Sequence, residues 1–172
     1  MTGVALIAIM TALATPTAQG PVRVECSPTF PINDRAGWAT PWDKPIPSVT
    51  LDPETCATIK MTIRHKAAEP ILAPGERRVP LAPVYVTDGL MVLLHEARHV
   101  GQWREGETFT DPARRFEHNA ECGALRALPR ALKILGYAPW VRRYSIREQR
   151  RLIRFEPETE YAGTCPLHAR AK

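Results

Sequence analysis

The amino-acid sequence predicts a mainly α-helical domain with a few short strands in its N-terminal half. Three observations lead to this fold class. Prolines are concentrated between positions 16 and 83, where short stretches alternate apolar and polar residues as strands do. Residues 87–155 instead show helical periodicity with recognisable caps. A chain of 172 residues that is 44% hydrophobic and 24% charged suits one packed domain and excludes wholesale disorder.

The N-terminal segment has the features of an export signal. Residues 4–13 form an apolar run of about ten residues, which is too short to span a bilayer but typical of a signal peptide. Ala18 and Gly20 are small, as signal peptidase requires, although no Lys or Arg precedes the run. A buried first strand is the alternative. We expect residues 1–20 to be a signal peptide, residues 21–172 to form a single domain without a transmembrane span, and the chain to be secreted or extracytoplasmic.

Four widely spaced cysteines agree with export. No CxxC pair is present, and in an oxidising compartment two disulfides are the simplest use of four cysteines. Three connectivities are possible. We expect Cys26–Cys56 and Cys122–Cys165, because each pair then lies within its own half of the chain.

The N-terminal half predicts two strands and one helix. Residues 22–26 and 48–51 alternate apolar and polar side chains. Asp52 is placed as an N-cap with Pro53 at the first helical position, so a helix is expected to run from there to about Arg64. Two tryptophans of the turn-rich stretch between the strands are expected to fill the core: Trp38 and Trp42.

The C-terminal half predicts a buried central helix. Thr87 or Asp88 can cap a helix from Gly89 to about Arg104, and Gly106 follows as its C-cap. Residues 90–94 are apolar all round, which is typical of a helix that is buried on every side.

Two further helical regions follow. Asp111 and Pro112 are expected to open a helix through about Leu128, with Pro129 ending or kinking it and a shorter helix reaching Leu135. A capping box is expected to start a last helix that stops before Pro157; its residues are Ser145 and Glu148.

The central helix carries the pattern His95-Glu96-x-x-His99. Residues four apart project from the same face of a helix, so both imidazoles can reach one metal ion. Glu96 lies beside the ion but is angled away from it, where a general base for a zinc-activated water belongs. The pattern therefore predicts a Zn²⁺ site with hydrolytic chemistry.

The third ligand distinguishes the classes of zinc site. A metzincin would need Gly and His where this chain has Gln102 and Glu105, so that class is excluded. Glu117 and Glu121 share one face of the next helix, and an antiparallel helix pair at the core would bring them over the histidines. His118 lies about 100° round that helix from Glu117 and is expected to be a poor ligand.

His95-Glu96-x-x-His99 followed by Glu117-x-x-Ala120-Glu121 resembles the gluzincins, and in so short a chain the minigluzincins. The pair Glu121-Cys122 also resembles small exported bacterial proteins that combine an HExxH run with a Glu-Cys helix. The resemblance covers residues 87–130. It implies a zincin-like fold in which Glu117 is the third ligand and Glu121 orients a histidine. Asp is commoner than Glu at the latter position, so Glu121 itself remains an alternative ligand.

These observations favour a secreted zinc-dependent metallohydrolase, with a peptide or protein as the expected substrate. Peptide, peptidoglycan cross-link and other amide substrates all stay open. The main alternative is an exported protein that binds zinc or a partner without catalysis; an accidental motif in a disulfide-stapled binding module is a third. The net charge of +5 and the arginines of residues 142–154 are expected to form a solvated face, without nucleic-acid binding.

Overall fold

The computed structural model describes residues 2–28, 36–40, 46–64, 82–107, 113–155 and Cys165. Within these residues the protein is mainly helical and contains one small sheet, in agreement with the predicted fold class. The elements in chain order are α1 (Gly3–Ala14), β1 (Arg23–Cys26), β2 (Gly37–Thr40), β3 (Ser48–Leu51), α2 (Pro53–Arg64), α3 (Ala82–Arg104), α4 (Ala113–Ile134) and α5 (Pro139–Phe155).

The sheet has the strand order β1-β3-β2, with β1 parallel and β2 antiparallel to β3. Val49 lies opposite both Val24 and Ala39, and all three are buried, so this row of the sheet faces the helices. Strand β2 was not expected. The prediction that Trp38 fills the core is wrong: it projects to the other face of β2 from Ala39 and is 40% exposed. Trp42 lies outside the described residues.

Helix α2 has the predicted bounds and the predicted cap. The backbone N–H of Thr55 donates to Asp52 Oδ1 at 2.6 Å, which satisfies one of the free donors of the first turn. Cys56 on this first turn is joined to Cys26 at the end of β1. The second disulfide joins Cys122 to Cys165, so both predicted pairings are confirmed. Two disulfides indicate an oxidising, extracytoplasmic environment.

Helix α3 is the central helix, but it begins at Ala82 rather than at Gly89. The expected caps Thr87 and Asp88 lie inside the helix and instead accept hydrogen bonds from Gln149 Nε2, both at 2.8 Å. The helix ends as predicted at Arg104, and Gly106 just past its end has a φ of +81°, which favours glycine.

Helix α4 continues through Pro129 to Ile134, so the expectation that the proline ends the helix and that a separate shorter helix follows is wrong. Leucines on both sides of the proline are fully or almost fully buried, and this packing offsets the hydrogen bond that a proline removes; they are Leu125, Leu128 and Leu132. The expected cap at residues 111 and 112 lies outside the described residues.

Helices α3 and α4 pack closely, and their contacts run in opposite directions along the chain. His95 contacts Glu121, whereas Gln102, further along α3, contacts Phe116, which comes earlier in α4. The pair is therefore antiparallel.

Helix α5 begins at Pro139, before the predicted capping box. Ser145 lies inside the helix instead of capping it, and its buried Oγ has no hydrogen-bond partner within the described part of the chain. One stripe of the helix faces inward and consists of Val141, Ser145, Gln149 and Ile153. The opposite side is exposed and basic, with Arg143, Arg147 and Arg151.

Helix α1 packs on the domain through Met10, Leu13 and Ala14, which are buried. The segment that follows is held by Arg104 of α3, whose guanidinium donates to the carbonyls of Ala18 at 2.6 Å and Pro21 at 2.5 Å. Cleavage of this segment as a signal peptide stays a prediction. Among the described residues, no helix has the length and apolar character needed to cross a membrane.

Candidate metal centre

Three side chains from α3 and α4 bring one donor atom each to a single point. The Nε2 atoms of His95 and His99, one turn apart on α3, lie 3.0 Å from each other. Oε2 of Glu117 on α4 lies 3.0 Å from the first of them and 3.1 Å from the second. Both histidines are buried, with residue exposures of 8% and 6%. The sequence-predicted trio therefore forms a group that could hold a metal ion.

The outer nitrogen of His95 is held by the second predicted carboxylate. Nδ1 of His95 lies 3.1 Å from Glu121 Oε2. Because a carboxylate only accepts hydrogen bonds, Nδ1 must carry the proton. In the neutral ring the lone pair then sits on Nε2 and faces the other two donors.

The outer nitrogen of His99 is held by a residue that the sequence did not single out as functional. Nδ1 of His99 lies 3.0 Å from Gln102 Oε1. The Gln102 amide nitrogen donates to Glu107 Oε2 and to the carbonyl of Phe116, both at 3.0 Å, and these two acceptors set which way the amide points. Nδ1 of His99 therefore donates, and in the neutral ring the lone pair sits on Nε2. The available signal was the spacing, since Gln102 lies three residues after His99.

The donor set fits a metal ion. Two bare imidazole nitrogens and one carboxylate oxygen repel one another unless a cation lies among them. Tetrahedral zinc with bonds of about 2.0–2.1 Å would separate its ligand atoms by about 3.3 Å. The observed separations of 3.0–3.1 Å differ from that value by a few tenths of an ångström.

The pKa values of the trio also indicate that a cation is favoured between its donor atoms. Burial disfavours the imidazolium of His95, but hydrogen bonds to Glu117 and Glu121 and the nearby charge of Glu96 outweigh burial and raise its pKa to about 10. Burial also disfavours the Glu117 carboxylate, yet hydrogen bonds from His95 and His99 lower its pKa to about 2. In the metal-free protein the proton on His95 therefore supplies the positive charge that faces Glu117.

Glu96 is half-buried and follows His95 directly, but it is not one of the three converging donors. Its side chain runs along β2 at Gly37, where a Cβ atom would come within 2.9 Å of Glu96 Cγ and of Val92 Cγ1. A glycine at this position leaves room for the glutamate between the helix and the strand.

Aromatic rings cover the side of the site next to His99. Its ring stacks on Phe116 with centroids 4.7 Å apart and an interplanar angle of 10°. Trp103 stacks on the same imidazole with ring centroids 6.1 Å apart and packs against the core. These contacts limit the rotation of the His99 ring.

His118 does not join the trio. Its Nε2 lies 3.5 Å from Cys122 Sγ, and the two sulfurs nearest to it are bonded to each other. Tyr137 is buried, donates to the Thr62 carbonyl at 2.7 Å, and has a pKa raised to about 12 by burial. Tyr144 lies under the Arg147 guanidinium, 5.3 Å from ring centroid to Cζ.

No protein-family model matches the chain, and neither does any of the curated proteins or solved structures compared with it. The resemblance to gluzincins therefore rests on the residues and spacing of the two helices that build the site.

Proposed function

We propose that this chain is an exported zinc-dependent hydrolase, with peptidase as the leading class. The observation that carries the proposal is the convergence of His95, His99 and Glu117, with the outer nitrogen of each imidazole already engaged. The antiparallel pair of α3 and α4, with β2 lying along α3, also supports a zincin-like arrangement.

Zinc suits this donor set better than a hard oxygen-binding cation does. Two imidazoles and one carboxylate are its common ligands in catalytic sites, where three protein ligands leave a fourth position open. When bound, zinc supplies Lewis-acid polarisation of a carbonyl and lowers the pKa of water. Structural zinc sites more often use four protein ligands.

Glu96 is assigned as the general base. It takes a proton from the water that attacks the substrate carbonyl and delivers that proton to the leaving nitrogen. Glu121 keeps the proton of His95 on Nδ1, and so directs the ring toward the site.

The test replaces Glu96 by Gln, which keeps the size of the side chain and removes the base. We expect the variant to bind one equivalent of zinc and to hydrolyse a mixed quenched-fluorescent peptide library at least about 100-fold more slowly than the unaltered protein. Full activity of Glu96→Gln would contradict the mechanism.

Variants of the ligands provide the controls. Removing a direct donor should abolish stoichiometric zinc, as expected for His95→Ala and Glu117→Ala, whereas Glu121→Ala should weaken zinc binding only about 10- to 100-fold. If Glu121→Ala abolished zinc binding and Glu117→Ala only weakened it, Glu121 would be the third ligand.

A second candidate is a zinc-binding protein without catalysis. It is favoured by the burial of both histidines, which leaves little of either ring open to solvent. Stoichiometric zinc in a protein that cleaves neither peptides nor peptidoglycan cross-links would support this candidate over hydrolysis.

A further inference from the structure

Gln102 is a fully buried polar residue with a complete set of partners. Its relative exposure is 0%, its Oε1 accepts from His99 Nδ1, and its Nε2 donates to Glu107 Oε2 and to the Phe116 carbonyl. All three distances are 3.0 Å. Both amide protons are therefore used, and a buried amide without such partners would be costly.

Only a carboxamide matches these three neighbours. A glutamate at position 102 would accept from His99 but would place its second oxygen against the carboxylate of Glu107 and the carbonyl of Phe116. A leucine would fill a similar volume and would remove all three hydrogen bonds.

The three partners lie on different parts of the site. His99 is on α3, Glu107 follows the end of that helix, and Phe116 lies on α4 directly before Glu117. The Gln102 side chain thus connects the imidazole of His99 to the backbone next to Glu117, and both of these residues belong to the donor trio.

We propose that Gln102 is a positioning residue that assembles the site before a metal ion arrives. It holds His99 in the tautomer with the proton on Nδ1, and it fixes the start of α4 so that Glu117 faces the Nε2 atoms of both histidines. This inference rests on the proposed metal site but does not require hydrolysis.

Gln149 provides a matched control for the burial of a glutamine. It is also buried, and it also joins two helices, since its amide donates to Thr87 and Asp88 of α3. These acceptors lie about two helical turns before His95. Gln149→Leu removes a buried interhelical amide as Gln102→Leu does, without removing a partner of the site.

The experiment compares Gln102→Leu, Gln102→Glu and Gln149→Leu in the full chain. Zinc affinity is measured by competition with a chelator, and urea unfolding reports stability. The tautomer of His99 in the metal-free protein is read from the nitrogen chemical shifts of its ring by NMR.

We expect Gln102→Leu to bind zinc about 10- to 100-fold more weakly and to move the His99 proton partly to Nε2. Gln149→Leu should lose stability to a similar extent and keep both the zinc affinity and the tautomer. Gln102→Glu keeps the acceptor, so it should keep the Nδ1–H tautomer while zinc still binds more weakly; it replaces the leucine variant in the test if that variant does not fold.

Zinc binding by Gln102→Leu within twofold of Gln149→Leu, or an unchanged tautomer, would overturn the inference; so would a changed tautomer in Gln102→Glu. If the unaltered protein binds zinc but hydrolyses nothing, the proposed catalysis fails and the positioning role stands. If it binds no zinc at all, both fail.

Discussion

His95 lies between two carboxylates, with Glu117 on its inner nitrogen and Glu121 on its outer one, at 3.0 and 3.1 Å. An imidazole in this position holds a proton strongly until another cation replaces it. Metal binding and proton binding therefore compete for the same nitrogen.

This competition predicts how zinc affinity depends on pH. Because the pKa of His95 is raised to about 10 in the metal-free protein, zinc must displace one proton at neutral pH. The apparent affinity should rise about tenfold per pH unit, hence about 100-fold from pH 7 to pH 9, in chelator competition. A flat profile would contradict the proton competition.

The metal-free protein should show the opposite trend in stability. The pKa of His95 is higher in the folded chain than the ordinary value of 6.5, so its stabilising effect is fully present below about pH 6.5 and is lost as pH rises through about 10. Urea unfolding of the metal-free protein across this range measures the loss.

At the scale of elements, the spacing within α3 and α4 was predictable because helical periodicity is local. His95 and His99 meet because they are four apart, and the same holds for Glu117 and Glu121. The early start of α3 was not predictable, since its inner polar residues bind Gln149 from α5, more than 60 positions away.

The continuity of α4 through Pro129 and the role of Gln102 depend equally on distant packing. In a sequence, a proline predicts the end of a helix unless the helix around it is buried. A glutamine predicts no role in a site until its three partners are known. Strand β2 was missed because four residues, two of them small, carry little alternation.

The contact between β2 and α3 yields a prediction for Gly37. Adding a methyl group by Gly37→Ala should crowd Glu96 and Val92, lower the free energy of unfolding by about 1–3 kcal/mol, and reduce turnover while one zinc is retained. Urea unfolding, zinc content and peptide hydrolysis together check this outcome.

Gly123→Ala is the matched control, because the added methyl group meets the flexible side chain of Arg98 instead of Glu96. Equal losses of turnover in the two variants would show that the effect of Gly37→Ala does not come from its contact with Glu96.

At the scale of the whole molecule, the disulfides close loops with sequence separations of 30 and 43 residues. In the chain-entropy model each contributes about 4 kcal/mol. Replacing either pair by serines should lower the free energy of unfolding by that amount in urea without reductant.

The two pairs should differ in their effect on zinc. Cys122 directly follows Glu121 on α4, whereas Cys26 and Cys56 join the sheet to α2. We therefore expect Cys122→Ser/Cys165→Ser to weaken zinc binding more than Cys26→Ser/Cys56→Ser does. Equal affinities in chelator competition would show that the C-terminal bridge does not support the site.

If residues 1–20 are a signal peptide, the hydrogen bonds from Arg104 to the N-terminal segment bear on the order in which the chain is cleaved and folds. Its guanidinium holds the carbonyls of Ala18 and Pro21, which flank the predicted cleavage point at Gly20, and Ala18 is completely buried. A processing peptidase needs that backbone extended and accessible. Under this prediction, cleavage and folding compete in time: a chain that is cleaved early would fold without α1, whereas a chain that folds first would shield the bond and keep residues 1–20.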